Sequence, residues 1–226
     1  MHIGPLLASG RTADVYALDG SWVLRRYRPG IDTTGELAVM SYLSASGFPV
    51  PRIGPPADGA LPTDLVLQRL TGPTLAEALR TGSVTGDDGA GLLARLLREL
   101  HAMPPRLSQD PGDRILHLCL RPETVVLASE GAVVTDWLTA DEGPPALDRA
   151  MTALMLALPA LGPEHPGRPP ARELLTALLS RFSDDGGVSA DALAHATALR
   201  AADPRLTAHA VEELDEAAEL VASLVA

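Results

Sequence analysis

The chain has 226 residues, of which 29 are acidic and 18 basic, so its formal net charge at pH 7 is −11. This balance excludes a general nucleic-acid or anionic-membrane binder, because both partners require a basic surface. Every basic residue is arginine, and neither lysine nor asparagine occurs, which excludes any mechanism that depends on a lysine amine or an asparagine carboxamide.

Cys119 is the only cysteine, so the chain forms no intrachain disulfide and has no cysteine-based metal site. The six histidines lack the spacing of metal ligands, and we expect no zinc site. The first residues lack a secretory signal, and the most apolar run, 150–161, is too short to span a membrane. We therefore expect a soluble, cytoplasmic protein.

The first third of the chain has the pattern of a small β-sheet with one helix. Apolar and β-branched segments alternate with an Asp-Gly turn and with Pro/Gly-rich connections. The predicted elements are strands over 14–18, 21–28 and 64–68 and a helix over 33–47.

The remainder of the chain is predicted to be mainly helical, with a few short strands. An amphipathic helix with a wide leucine face comes first, and a hairpin with a Glu-Gly turn follows it. The predicted strands are 115–118, 125–127 and 132–135, and the predicted helices are 90–103, 145–160, 171–182, 189–201 and 206–225. A β-rich start and a helical remainder predict a two-lobed α+β fold.

A loop of small residues around Gly10 joins two predicted strands (segment 8–16). Such a loop brings backbone N–H groups close to phosphate oxygens, since Gly10 has no side chain in the way. The alternative is a plain hairpin connection.

Three charged residues are further candidates for a site. Arg25 on a predicted strand and Glu36 on the next helix have a spacing that permits an ion pair across a cleft between lobes; the alternative is ordinary surface charge. Asp136 ends a hairpin strand, where a carboxylate can hold a metal ion; the alternative is an aspartate that caps the turn.

These segments resemble, in their order, the aminoglycoside phosphotransferase family of the protein-kinase-like superfamily. The resemblance covers nearly the whole chain. It includes the Gly10 loop, the strand with Arg25, the helix with Glu36, the linker-like segment 67–75 with Gln68, the helix that ends at 100–102, the hairpin, and the segment 145–150. It implies a bilobal kinase-like α+β fold, with an N-lobe over 1–70 and a helical C-lobe over 73–226 that contains a degenerate catalytic hairpin, 115–137.

The family's catalytic loop has the pattern H-G-D-L-H-P-x-N and is followed by a strand that ends in I-D-W, whereas residues 117–124 are H-L-C-L-R-P-E-T. The resemblance places Cys119 at the catalytic aspartate and Thr124 at the metal-binding asparagine. Asp136 keeps the second metal-binding position, and Arg25 replaces a phosphate-gripping lysine. ATP and Mg²⁺ are the implied cofactors. The implied cofactor-binding residues are Gly10, Arg25, Glu36 and Gln68, and the implied metal ligands are Asp136 and Thr124.

Cys119 is the most serious departure from the family pattern. A thiol that is mostly neutral at pH 7 supplies no fixed negative charge, and general-base help is worth roughly 10²–10⁴-fold in rate. We therefore expect at most a slow kinase. A lone thiol between two leucines is more typical of a small core residue than of a nucleophile or a redox switch.

Two functions are consistent with the sequence. The first is a pseudokinase that acts as a binding or scaffold partner of a protein or peptide, in which nucleotide binding is weak or lost; a bacterial biosynthetic pathway is the setting that the resemblance implies. The second is an ATP- and Mg²⁺-dependent phosphotransferase that acts on a hydroxyl of a small molecule or of Ser or Thr in a peptide. The carboxylates of the last helix are interpreted as a solvated face or as an acidic docking surface.

Overall fold

The structure, a computed structural model, describes residues 1–162, 171–204 and 206–225. Residues 163–170, 205 and 226 fall within the predicted C-lobe and lie outside the described part.

The chain separates into two compact units. We call the first the sheet unit, which comprises Met1–Gly72 and Val126–Leu138. The second is the helical unit, which comprises Pro73–Val125 and Thr139–Ala226. The sequence analysis assigned the whole hairpin 115–137 to the helical part, whereas the structure groups most of its second half with the sheet.

The secondary structure is α+β, as the sequence predicted. The strands are β1 (Leu6–Ser9), β2 (Ala13–Ala17), β3 (Trp22–Tyr27), β4 (Asp64–Gln68), β5 (Arg114–Leu116), β6 (Val125–Ala128), β7 (Gly131–Val134) and β8 (Asp141–Gly143). The α-helices are α1 (Thr34–Ala45), α2 (Leu75–Thr81), α3 (Gly86–His101), α4 (Pro145–Leu161), α5 (Ala171–Phe182), α6 (Ala190–Ala201) and α7 (Ala208–Val225). Single 3₁₀ turns cover Pro122–Thr124, Trp137–Thr139 and Ser183–Asp185.

The sheet unit contains an antiparallel sheet in the order β1-β2-β3-β4. Strand β3 is interior, and its Arg25 pairs with Val15 on one side and Leu65 on the other. Leu24 points to the opposite face, where it is fully buried in an apolar cluster with Val66 and other residues. Because successive side chains of a strand alternate between faces, the core fixes which face carries Arg25.

The helical unit is built around α3 and α4. Thr85 caps α3 by accepting a hydrogen bond from the Asp88 N–H, and the leucine face of the helix packs against α5. Helix α4 is buried along most of its length and packs against α5, α6 and α7. This burial of α4 determines the environment of its first turn, where Asp148 lies.

Helix α2 is an element that the sequence analysis missed. It has only seven residues, too few for an apolar stripe to be recognised. The available signal was its capping box, in which the Thr74 side chain accepts from the Glu77 N–H and the Glu77 carboxylate accepts from the Thr74 N–H.

Strand β5 is shorter than predicted. It ends at Leu116, and the chain turns at Leu118, whose φ of 57° cannot continue a strand. In the described residues, no helix combines the length and the apolar character that crossing a bilayer requires.

Candidate functional site

Four side chains of the sheet unit form a cluster, which we call the Arg25 cluster (Arg25, Tyr27, Glu36 and Asp136). Arg25 Nη2 lies 2.5 Å from Asp136 Oδ1, and Nη1 lies 3.4 Å from Glu36 Oε1. The guanidinium carbon lies 4.8 Å from the centre of the Tyr27 ring, and the Tyr27 hydroxyl donates to Glu36 Oε2. One arginine therefore pairs with carboxylates from two distant parts of the chain.

The strand and helix register explains how Arg25, Tyr27 and Glu36 come together. Arg25 and Tyr27 are two residues apart on β3 and so share one face of the sheet. Glu36 lies in the first turn of α1, and its side chain is completely buried. The ion pair of Arg25 with Glu36 is present, but both residues belong to the sheet unit, so the expectation of a pair across a cleft between lobes was wrong. The sequence predicted no role for Tyr27, whose signal was its i, i+2 spacing from Arg25.

Asp136 is held in an unusual backbone conformation. Its φ is 69°, in the left-handed region that non-glycine residues rarely adopt. The flanking residues fix this conformation, since the buried Trp137 ring donates to the Val134 carbonyl at 2.9 Å and packs edge-on against Phe48. Strained residues of this kind occur preferentially at functional sites.

Burial controls the charges of the cluster. It raises the pKa of the Glu36 carboxyl, and the Arg25 charge opposes this rise only in part. Burial also raises the pKa of the Tyr27 hydroxyl, which stays protonated and serves as a donor. For Arg25, burial lowers the pKa, but the neighbouring groups, the carboxylates of Asp136 and Glu36 among them, more than offset this effect, so the pKa is raised and the guanidinium remains cationic.

In the helical unit, the loop that follows β5 is held by Asp148. Its carboxylate accepts hydrogen bonds from the N–H groups of His117 and Leu118, both at 2.8 Å, and lies 3.0 Å from His101 Nε2. The Thr139 hydroxyl also donates to the His117 carbonyl at 3.1 Å. Asp148 thus fixes the strained turn at Leu118, immediately before Cys119.

Asp148 lies in the segment 145–150 that the family resemblance includes, but the sequence predicted no role for it. Asp148 is completely buried, and burial alone raises the pKa of its carboxyl. The hydrogen bonds from His101 and His117 outweigh this effect, so the pKa lies below its ordinary value. The available signal was an aspartate in the first turn of an otherwise apolar helix.

The two substituted loop positions have ordinary local partners. The Cys119 N–H donates to His117 Nδ1 at 3.2 Å. The Thr124 hydroxyl donates to the Arg121 carbonyl at 2.9 Å and accepts from the Arg121 N–H at 3.1 Å, so it closes a tight turn.

The Gly10 loop is held by its own backbone and by Arg28. The Gly10 N–H donates to the Ala13 carbonyl at 2.8 Å, and Arg28 donates to the Gly10 carbonyl at 3.0 Å. The same guanidinium binds Asp14, which also accepts from the Ser9 hydroxyl. The geometry is that of a tight hairpin braced by Arg28.

Gln68 also has a structural partner. Its side-chain oxygen accepts from the backbone N–H and from Nε of Arg52, both at 3.3 Å. The structure thus gathers Arg25, Glu36 and Asp136 into one cluster, while Gly10 and Gln68 bind their own neighbours.

Comparison with models of known protein families shows to which family the chain is related. The model of the phosphotransferase enzyme family (APH) matches residues 4–123, which is more than half of the chain. The chain belongs to this family. A comparison with curated proteins gives no significant match.

Solved structures of the family's fold cover almost the entire chain. Aminoglycoside phosphotransferase APH(2'')-Ib in its ADP-bound form is 11% identical with a TM-score of 0.62, and the match covers 99% of this chain and 95% of that one. Choline kinase LicA from Streptococcus pneumoniae is 14% identical with a TM-score of 0.57, covering 99% and 94%. Aminoglycoside-3'-phosphotransferase of type VIII is 19% identical with a TM-score of 0.60, covering 92% and 90%. The chain therefore has a kinase-like fold.

The residues at the family's metal positions do not fit a magnesium ion. Mg²⁺ requires near-octahedral oxygen ligands, yet Asp136 is ion-paired with Arg25 and the Thr124 hydroxyl closes a turn. Within residues 1–162, 171–204 and 206–225, no three His, Cys, Asp or Glu side chains are grouped as a metal site needs.

Proposed function

We propose that this protein is a pseudokinase, a non-catalytic family member that acts by binding a protein or peptide partner. One observation carries the proposal. Of the family's catalytic-loop and metal positions, three in all, only Asp136 still holds a carboxylate, and this carboxylate is ion-paired with Arg25. The other two positions hold Cys119 and Thr124.

The physical case against efficient phosphoryl transfer rests on charge. Transfer depends on positioning and on stabilising charge around the phosphoryl group, chiefly by metal ions and a carboxylate that orients the nucleophile. Cys119 offers no fixed negative charge, so the help of a general base, worth roughly 10²–10⁴-fold, is lost. Loss of the metal-binding asparagine and neutralisation of Asp136 add to this deficit.

The contacts around these positions are intact, which supports a retained binding role. Arg25 still pairs with Glu36, and Asp148 still holds the loop before Cys119. Among the similar structures, APH(2'')-Ib is described as ADP-bound and aminoglycoside 2'-phosphotransferase-IIIa as a GDP complex. These names support a nucleotide as a second, weak ligand.

Consumption of ATP tests this proposal, measured as phosphate release when water is the acceptor and as ADP formation when alcohols are added. We expect the wild type to release phosphate at the rate of buffer alone, with or without Mg²⁺. The informative variant is Cys119→Asp with Thr124→Asn, which restores the family residues, and the matched control is Cys119→Ser with Thr124→Ser, which keeps both positions neutral. Arg25 still pairs with Asp136 in the restored variant, so we expect no release from it either. Release by the restored variant alone would show that the loop substitutions, and not the Arg25–Asp136 pair, abolish turnover.

The alternative, an ATP- and Mg²⁺-dependent phosphotransferase, makes the opposite prediction. Wild-type turnover near the range of known kinases, about 1 s⁻¹ or faster, that requires Mg²⁺ and disappears in Asp136→Asn would overturn the pseudokinase proposal. An acceptor with a reactive hydroxyl should then be sought.

A further inference from the structure

The Arg25 cluster already contains its own cation. Two carboxylates, Glu36 and Asp136, face a single guanidinium, and the Asp136 contact is the closer of the two, at 2.5 Å against 3.4 Å. The Arg25 side chain is 16% exposed and the Asp136 side chain 35% exposed, so solvent screens this attraction only in part.

Arg25 is held in place from several sides. Its backbone is paired with strands on both sides, so β3 cannot shift without disrupting the sheet. Its guanidinium lies over the Tyr27 ring, a cation–π arrangement that favours the cationic group at this position. A metal ion that approached Asp136 would be repelled by the Arg25 guanidinium, which these contacts hold in place.

The carboxylate oxygens near Arg25 are already used. Glu36 Oε1 accepts from Arg25, and Glu36 Oε2 accepts a hydrogen bond from the Tyr27 hydroxyl. Glu36 therefore does not serve as a second metal ligand beside Asp136. Arginine is always charged and binds carboxylates through a rigid planar fork, whereas a divalent cation requires several oxygens arranged around it.

We infer that Arg25 permanently takes the place of a divalent cation at Asp136, so that this unit does not bind Mg²⁺ or Mn²⁺ and any nucleotide it binds is bound without metal. The inference rests on the proposed pseudokinase function and names the reason why its site is inactive. Arg25 thus prevents divalent cations from binding at Asp136, in addition to being a candidate phosphate-binding residue.

Binding of Mn²⁺ alone, followed by the electron paramagnetic resonance signal of the free ion, tests the inference. We expect no binding by the wild type up to millimolar metal. The variant Arg25→Gln removes the cation beside Asp136, and should bind Mn²⁺ at least about tenfold more tightly than the wild type. Adding Asp136→Asn to this variant should abolish the gain.

Arg26→Gln is the matched control. Arg26 is the next residue of β3 and pairs with Asp64 through two hydrogen bonds of 2.9 and 2.8 Å. Its removal also takes a cation from a carboxylate, but the Asp64 side chain is completely buried and still accepts from the Leu61 N–H, so we expect no Mn²⁺ binding.

Two results would overturn the inference: wild-type Mn²⁺ binding that Asp136→Asn removes, or a folded Arg25→Gln variant that gains no affinity. If Arg25→Gln does not fold, Arg25→Met is the replacement, and the wild-type titration decides the question without either variant. Metal binding and phosphate release are separate readouts. Mn²⁺ binding by a protein without turnover would refute this inference, while Cys119 and Thr124 would still account for the missing turnover.

Discussion

At the residue scale, the central feature is the choice of arginine at position 25. The planar fork of Arg25 lets two different nitrogens reach Glu36 and Asp136, whereas a lysine ammonium is a single point charge. The sequence predicted the pair with Glu36 because those residues lie close together in the chain. It could not predict the pair with Asp136, since only the three-dimensional fold brings β3 and the end of β7 together.

Asp148 gives a residue-scale prediction about stability. Asp148→Ala leaves the buried N–H groups of His117 and Leu118 without their acceptor, and we expect a loss of about 3–5 kcal/mol in the free energy of unfolding. Chemical denaturation measures it. The matched control is Asp191→Asn, an exposed aspartate in the first turn of α6, which should change stability by less than about 1 kcal/mol.

The same carboxylate predicts a pH dependence. Because the pKa of Asp148 is lower in the folded than in the unfolded protein, its stabilisation is complete above the unfolded pKa and is lost as the pH falls through the folded pKa. Melting temperatures of the wild type should therefore fall in acid more steeply than those of Asp148→Asn. Parallel curves for the two proteins would show that Asp148 does not carry this effect.

At the element scale, the sequence predicts what local patterns determine. The leucine spacing of α3 and the alternation of apolar and polar residues in β3 were sufficient to predict these elements. In each element, burial of one face imposes the helical or the strand period on the sequence. Short elements were harder: α2 has only a capping box to mark it, and the early end of β5 depends on Asp148 from α4, which no local pattern contains.

Gly72 gives an element-scale prediction in the segment after β4. Its φ is 140°, and a Cβ at this position would overlap the carbonyl group of Leu127 in β6. Since backbone atoms cannot move aside as a flexible side chain can, we expect Gly72→Ala to lower the free energy of unfolding by about 2–4 kcal/mol.

The control for this prediction is Gly82→Ala at the end of α2. Gly82 also has a positive φ, 72°, but a Cβ there would meet nothing within 4 Å, so the cost should be only about 1–2 kcal/mol. Equal losses in the two variants would contradict the claim that the contact with Leu127 matters.

At the scale of the whole molecule, the sequence shows the family's segments in the family's order, although its identity to the solved structures is low. The order of the Gly10 loop, Arg25, Glu36 and the degenerate catalytic hairpin was enough to predict a kinase-like α+β fold, which the family match and the similar structures confirm. What the sequence could not show is that the retained Asp136 is already neutralised, because that requires the positions of side chains.

The most direct test of this account is a calorimetric titration of ATP into the wild type, with Mg²⁺ and with EDTA, and into Asp136→Ala. A pseudokinase whose Asp136 is neutralised by Arg25 should give the same heats in both buffers, and the variant should not lose affinity. Micromolar binding that requires Mg²⁺ and disappears in Asp136→Ala would contradict the account and identify a metal-dependent phosphotransferase.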